Sequence, residues 1–312
     1  MVRVLSFIVM LLLAGAADAA TVNARTGPAT VPRHGVGWVV RNPDRSHRWL
    51  YVSGGANDYA VVAYDLSAPG TPLVETITQG ISYPGGLSIS RDGTLYVANN
   101  GGSEPGVYAY PWGQTSPSTI YPIANPNVTA VSREGDLYVA TRDTPPSILI
   151  YRRGHTKPSR KITSSLLEVP AQIIFDDAGN AYAADNHTGV LFMAHGTFDV
   201  QSLGLEDLDG CTTGLALDPN MNALFVSDCG GGTQEYILGN TLPVANLDES
   251  FPADNLSIGR VDHHHMTLFA PSLFTGQVVF YQARSTTPYA TLQTTLSEAL
   301  GVLYKPAGIP RL

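Results

Sequence analysis

GLSISRDGTLYVANN, residues 86–100, decides the fold. An almost unbroken apolar run of strand length, Leu87–Ser90, meets the polar turn Arg91-Asp92-Gly93, where glycine supplies the positive φ of a tight reversal. A second run, Leu95–Asn99, follows and stops on a polar residue. Two such runs either side of a turn read as an antiparallel hairpin. Further along, Val107–Tyr110, the turn Pro111-Trp112-Gly113 and Ser118–Tyr121 add two more strands, so about forty residues make one four-stranded sheet. The first two runs are nearly continuous in apolar character, the pattern of strands covered on both faces by neighbouring sheets.

The same wording returns along the chain. It reads GWVVRNPDRSHRWLYVSG at 37–54, VTAVSREGDLYVAT at 128–141 and QIIFDDAGNAYAAD at 172–185, then GLALDPNMNALFVSD at 214–228 and SIGRVDHHHMTLFAPS at 257–272. An aromatic in the second run marks each copy at Tyr51, Tyr96, Tyr138, Tyr182, Phe225 and Phe269, with steps of 42 to 45 residues. One sheet of this size cannot bury enough apolar surface to offset the entropy of ordering it, whereas six packed radially cover both faces of each. The expectation is all-β: a six-bladed β-propeller of four-stranded antiparallel blades spanning 32–312. Gly301–Gly308 reads as the opening strand of a further copy. Either it or the segment 21–31 completes a blade shared between the two ends of the chain, and a seventh blade stays open as the alternative. Outside Thr295–Leu300 no helical period occurs.

These repeats resemble the NHL-repeat and six-bladed TolB-like propellers, the superfamily of gluconolactonases and paraoxonases. The residues carrying the likeness are GLSISRDGTLYVANN, GLALDPNMNALFVSD and AQIIFDDAGNAYAADN (171–186), and it extends over the chain beyond the first twenty residues. The resemblance is specific for fold and weak for activity, because this architecture hosts hydrolases, lyases, isomerases and pure interaction modules. For the gluconolactonase-like members it implies a divalent cation in the central channel, held by carboxylate and Asn oxygens where the inner strands begin. The matching positions here are His34, Gly85, Asn127, Gln172, Thr212 and Asn255, among which none is a carboxylate; calcium asks for six to eight oxygens, several of them charged.

Location and charge bound the partners. Met1–Ala20 has Arg3, an apolar run from Val4 to Leu13 and the small-x-small site Ala17-Asp18-Ala19, the form of a cleaved signal peptide. The run is too short to span a bilayer, so the mature protein is expected to be secreted or periplasmic, with no membrane span. In such a compartment Cys211 and Cys229, the two cysteines of the chain, are expected to form one disulfide. Their placement at one end of a hairpin centred on Pro219–Asn222 sets them opposite each other. Charged residues are 14% of the 312, and the formal net charge of −8, with no Lys/Arg cluster offsetting it locally, argues against a nucleic-acid partner. A monomer is expected.

Catalytic motifs are missing: Gly-x-Ser-x-Gly, His-Glu-x-x-His and the phosphate-binding Gly-x-x-x-x-Gly-Lys-Ser/Thr do not occur. The ends of the second runs, Gly54, Asn99, Thr141, Asp185, Asp228 and Ser272, should ring one mouth of the channel. With Asn127 and Asn186 they make the ligand-face candidates Asn99, Asn127, Asp185, Asn186 and Asp228. The competing structural reading is that Asp and Asn at strand ends bond their own turns. Glu206, Asp207 and Asp209 enter the fifth copy on the same face and are candidates for calcium; otherwise no cofactor is expected. The run Asp262-His263-His264-His265 falls in a turn on the opposite face, where alternation lets only His263 and His265 cooperate. The expected function is an exported binding or scaffold propeller presenting a loop face to a small-molecule ligand or protein partner. The alternative is a metal-dependent lactonase or related hydrolase.

Overall fold

In the computed structural model the described residues are 21–22, 38–39, 47–55, 58–218, 220–230, 232–247, 253–261, 265–282 and 285–306. The leader expected at 1–20, His34, His263 and His264 lie outside them. Among the described residues there is no helix, and the strands form six sheets, each with a core of four antiparallel strands. Blade 2 shows the repeat as read from the sequence: Pro84–Ile89, Leu95–Asn99, Gly106–Tyr110 and Thr119–Pro122, innermost to outermost. Blades 3, 4 and 5 open with Pro126–Val131, Pro170–Phe175 and Thr212–Asp218, and blade 6 with Ser257–Gly259. Each innermost strand packs beside the next, and the last returns to the first blade, so the molecule is a closed six-bladed β-propeller.

The ring closes at blade 1 in a way the repeat alone does not specify. The apolar run at 37–40 was expected to open this blade. Instead, Trp38–Val39 pairs antiparallel on the outside, against Leu73–Ile77. The innermost place is taken by Ala299–Lys305, which pairs with Trp49–Gly54. Thus the C-terminal segment supplies the closing strand, and Thr21–Val22 adds a parallel fifth strand outside blade 6 rather than completing a blade. The helical period at Thr295–Leu300 forms no helix; residues 295–297 bend into this closing strand.

Apolar residues sort into six clusters, one at each seam between blades. Leu50, Val52 and Val302 of blade 1 meet Phe269, Val278 and Leu292 of blade 6. Tyr51 and Val61 meet Leu95 and Val97 of blade 2 on the other side. The remaining four join blades 2 and 3, 3 and 4, 4 and 5, and 5 and 6 in the same manner. Every second strand is therefore covered on both faces, which is why its sequence lacks clean alternation.

Loops leading into the innermost strands and loops joining second to third strands share one face, here the loop face. The tight turns joining first to second and third to fourth strands form the opposite, hairpin face. Asp92-Gly93 and Glu134-Gly135 are such turns, with Gly93 and Gly135 at φ of 91° and 89°.

Candidate functional site

Each innermost strand carries a one-residue β-bulge near its start, at equivalent positions in blades 1 to 5. In blade 6 the isolated bridge Ala253–Ser272 followed by the pair Ser257–Phe269 leaves the same extra residue. A bulge moves every later side chain of its strand to the other side relative to a regular ladder. The ring of residues at the loop-face mouth is therefore Gly85, Asn127, Ala171, Thr213, Asp254 and Leu300. The positions taken from the resemblance at Gln172, Thr212 and Asn255 each lie one residue from this ring. Leu300 takes the blade 1 place because Ala299–Lys305 opens that blade, and His34 lies outside the described residues. The corrected ring does contain a carboxylate, Asp254.

This mouth is a recess of about 70 Å³ that also gathers Tyr83, Arg142, Asn186 and Asn255. Asp254 accepts hydrogen bonds from the backbone N–H of Asn255 at 2.9 Å and from its side-chain Nδ2 at 2.7 Å. Burial pushes the Asp254 carboxyl up to about 6, against the opposing pull of these bonds and of the Arg142 guanidinium. Asn127 donates from Nδ2 to the Pro170 carbonyl at 2.6 Å, tying blade 3 to blade 4. Asn186, with its amide nitrogen turned inward, donates to the carbonyls of Val169 at 3.2 Å and Thr212 at 3.0 Å, tying blade 4 to blade 5.

Immediately below, the Gln172 side chain reaches from blade 4 to blades 5 and 6. Its Oε1 accepts from the backbone N–H of Leu215 at 2.6 Å and of Leu256 at 3.0 Å, and its Nε2 donates to the Leu256 carbonyl at 2.8 Å. One amide thus joins blades 4, 5 and 6. Across the channel, a Cβ on Gly85 would lie 2.6 Å from the Asn127 carbonyl, so blades 2 and 3 approach too closely there for any side chain. The larger space, about 310 Å³, is at the hairpin-face end and is lined by Leu87, Ile89, Val131, Ile174, Leu217 and Leu303 among others.

The other candidates stand at the strand ends and hold loops. Asn99 Oδ1 accepts the backbone N–H groups of Ser82 at 2.8 Å and Tyr83 at 3.0 Å. Asp185 accepts four: Glu168 at 2.8 Å and Val169 at 2.9 Å on Oδ2, His187 at 3.1 Å and Thr188 at 3.3 Å on Oδ1. Asp228 accepts from Asp209 at 3.1 Å and Gly230 at 3.2 Å. In blade 1 the role falls to Asp58, which receives the N–H groups of Ser297 and Glu298. Each acceptor clamps the loop leading into its own blade's innermost strand, and Asn99, Asp185 and Asp228 are buried.

One residue beyond the second strand of blades 2 to 5, a backbone bond ties the same loop: Asn100 N–H to Tyr83 C=O, Arg142 to Asn125, Asn186 to Val169 and Cys229 to Cys211. Cys211 and Cys229 form the expected disulfide, with Cα atoms 5.4 Å apart, so in blade 5 the recurring hydrogen-bonded tie is also covalent.

Glu206 and Asp207 turn their backbone carbonyls to Tyr236 OH and Gln234 Nε2, at 2.6 and 2.9 Å. Among the described residues no three His, Cys, Asp or Glu side chains converge as metal ligands. At the mouth itself a single carboxylate shares the recess with a guanidinium, a donor set that does not fit calcium.

No protein-family model matches the sequence, and no curated protein is similar to it. The class that the fold defines is the six-bladed β-propeller, and among the described residues no helix is long and apolar enough to cross a membrane. One expectation about charge does not hold. Arg152, Arg153, Lys157, Arg160 and Lys161 form a local cationic cluster, all of it exposed, on the third-to-fourth-strand turn and outer strand of blade 3.

Proposed function

We propose that the chain is an exported binding propeller of the NHL-repeat and TolB-like kind, working as a monomer and engaging a small-molecule ligand or protein partner on its loop face. The supporting observation is the commitment of the channel's polar side chains. Gln172, Asn127, Asn186 and Thr213 tie neighbouring blades together, the last through a 2.7 Å bond to the Ala253 carbonyl. Asn99, Asp185 and Asp228 likewise secure loops. Groups so engaged build a rigid frame, and the chemistry left for recognition lies on the loops that frame holds out. The loops at 101–105 and 142–146, with Cys229 and Gly230, are the contact surface, with Arg142, Tyr83 and Asp254 at its centre. The acidic balance of this face favours a cation or a basic partner.

The test separates this reading from a metal-dependent lactonase. Purified protein is assayed against a panel of lactones and esters, with and without calcium, manganese and zinc. The proposal expects no turnover above buffer. Metal-dependent hydrolysis that disappears in Asp254→Asn would overturn it.

A further inference from the structure

We propose that the cationic cluster of blade 3 is a second recognition surface, on the hairpin side of the ring, for an anionic polysaccharide. The stretch RRGHTKPSRK, residues 152–161, carries five of the chain's 18 Lys and Arg and none of its 26 Asp and Glu. All ten residues are exposed. In a protein of net charge −8, this concentration makes the molecule strongly asymmetric and sets the direction from which an anionic polymer approaches.

The cluster is held in shape. Gly154, at φ 77°, lets the chain reverse, and the turn is closed by the His155 N–H on the Arg152 carbonyl at 2.9 Å. Asp136 accepts the backbone N–H of Arg153 at 3.0 Å, which fastens the turn to the neighbouring hairpin. Ser159 returns to Ile150 through both its N–H and its hydroxyl, at 2.7 and 3.0 Å, and delivers the chain into the outer strand Arg160–Ile162. The Arg160 guanidinium lies 3.7 Å over the ring of Phe198 on blade 4, which orients its plane while leaving its N–H fork to solvent. Among the described residues no ion pair with a carboxylate engages any of the five cations. The backbone of the turn is preorganised, and of the five cations only Arg153 has a carboxylate, Asp92, acting on it, so the cluster keeps most of its charge for an incoming anion.

The chemistry of the surface selects among polyanions. Its apolar content is Pro158 and the Phe198 ring, which Arg160 covers, too little to enter a bilayer or to form the dry centre of a protein interface. The cations are confined to one blade of an otherwise acidic molecule, a poor match to the long, dense charge of duplex DNA. Arginine forks beside an aromatic ring suit discrete carboxylate or sulfate groups spaced along a sugar chain.

The experiment uses the full mature protein over immobilised polyuronate, a heparin-like sulfated glycan and neutral dextran, with duplex DNA and phosphatidylglycerol vesicles in parallel. The proposal expects saturable binding to the polyuronate, the sulfated glycan or both, the two arms telling carboxylate from sulfate. That binding should weaken about tenfold or more between roughly 50 and 200 mM salt. The triple variant Arg152→Glu, Lys157→Glu, Lys161→Glu should lose at least about tenfold in affinity with an unchanged unfolding midpoint, whereas Arg260→Glu, at an exposed cation of blade 6, should bind as the parent. Lack of binding to both charged glycans, equal binding to dextran, retention by the triple variant, or tighter binding to DNA or vesicles would each overturn it.

Discussion

Replacing Tyr304 by alanine should weaken the whole ring, because this side chain sits in the seam between the closing strand of blade 1 and blade 6. Tyr304 is 8% exposed and stacks on Phe269 of blade 6, with ring centroids 5.5 Å apart and planes 15° from parallel. Its hydroxyl donates to the Arg260 carbonyl, and its backbone N–H to Ser257 Oγ at 2.9 Å. Truncating a buried aromatic to alanine costs about 3–5 kcal/mol, a large share of the roughly 5–15 kcal/mol that holds a domain together. For a chain of this size that loss corresponds to a fall of about 10 °C in Tm. Urea unfolding followed in parallel by far-UV circular dichroism and by tryptophan emission reads the effect. Trp49 and Trp112, with rings 4.7 Å apart across the seam of blades 1 and 2, report from a different interface. The expected result is a single transition, coincident by both probes and shifted to lower urea. A control, Leu242→Ala at a 55% exposed site, should move the midpoint by less than about 0.5 kcal/mol. A cost under about 1 kcal/mol for Tyr304→Ala, or separate transitions for the two probes, would refute the idea that this seam closes a cooperative ring.

Glu75 is 2% exposed, and burial pushes its carboxyl up to about 8, opposed by a hydrogen bond from Tyr51. Since the folded value exceeds the unfolded one of about 4.3, stability is complete at low pH and falls as pH rises through 8; Glu75→Gln should flatten that fall in a pH series of unfolding curves. Asp185→Ala removes the acceptor of four backbone N–H groups and should cost about 1–3 kcal/mol, with Asp185→Asn losing less, as measured by denaturant titration. Breaking Cys211–Cys229 as the double serine variant should cost roughly 3 kcal/mol or less, since the crosslink spans 18 residues and its neighbours keep the backbone tie; thermal unfolding checks it.

The blades were legible because a four-strand repeat, covered on both faces, leaves nearly continuous apolar runs at fixed spacing from Gly-containing turns. Closure was not, since the runs at 37–40 and 301–304 are equally apolar, and only pairing decides which one lines the channel. The mouth was misread for a related reason. A bulge leaves no mark in hydrophobic periodicity, yet it brings Asp254 into the recess beside Asn255 and puts Ala171 on the rim in place of Gln172. Gln172 consequently serves as the crossbar beneath the recess instead of a member of its rim. The disulfide was readable because hairpin arithmetic alone sets Cys211 opposite Cys229. The blade 3 cations were visible in RRGHTKPSRK but hidden by averaging charge over the chain.

The central claim, that a committed inner frame leaves recognition to the loop face, is tested most directly by photo-crosslinking from single sites in the native host. A photoreactive amino acid at Tyr83, Arg142 or Phe274 samples the loop face, and one at Arg91, Glu134 or Met221 samples the hairpin turns. The account predicts a discrete protein adduct from the loop-face positions, competed by excess unlabelled protein, and no protein adduct from the three turn positions, where the species within reach is glycan held by the blade 3 cations. Adducts arising only from Arg91, Glu134 or Met221 would contradict it.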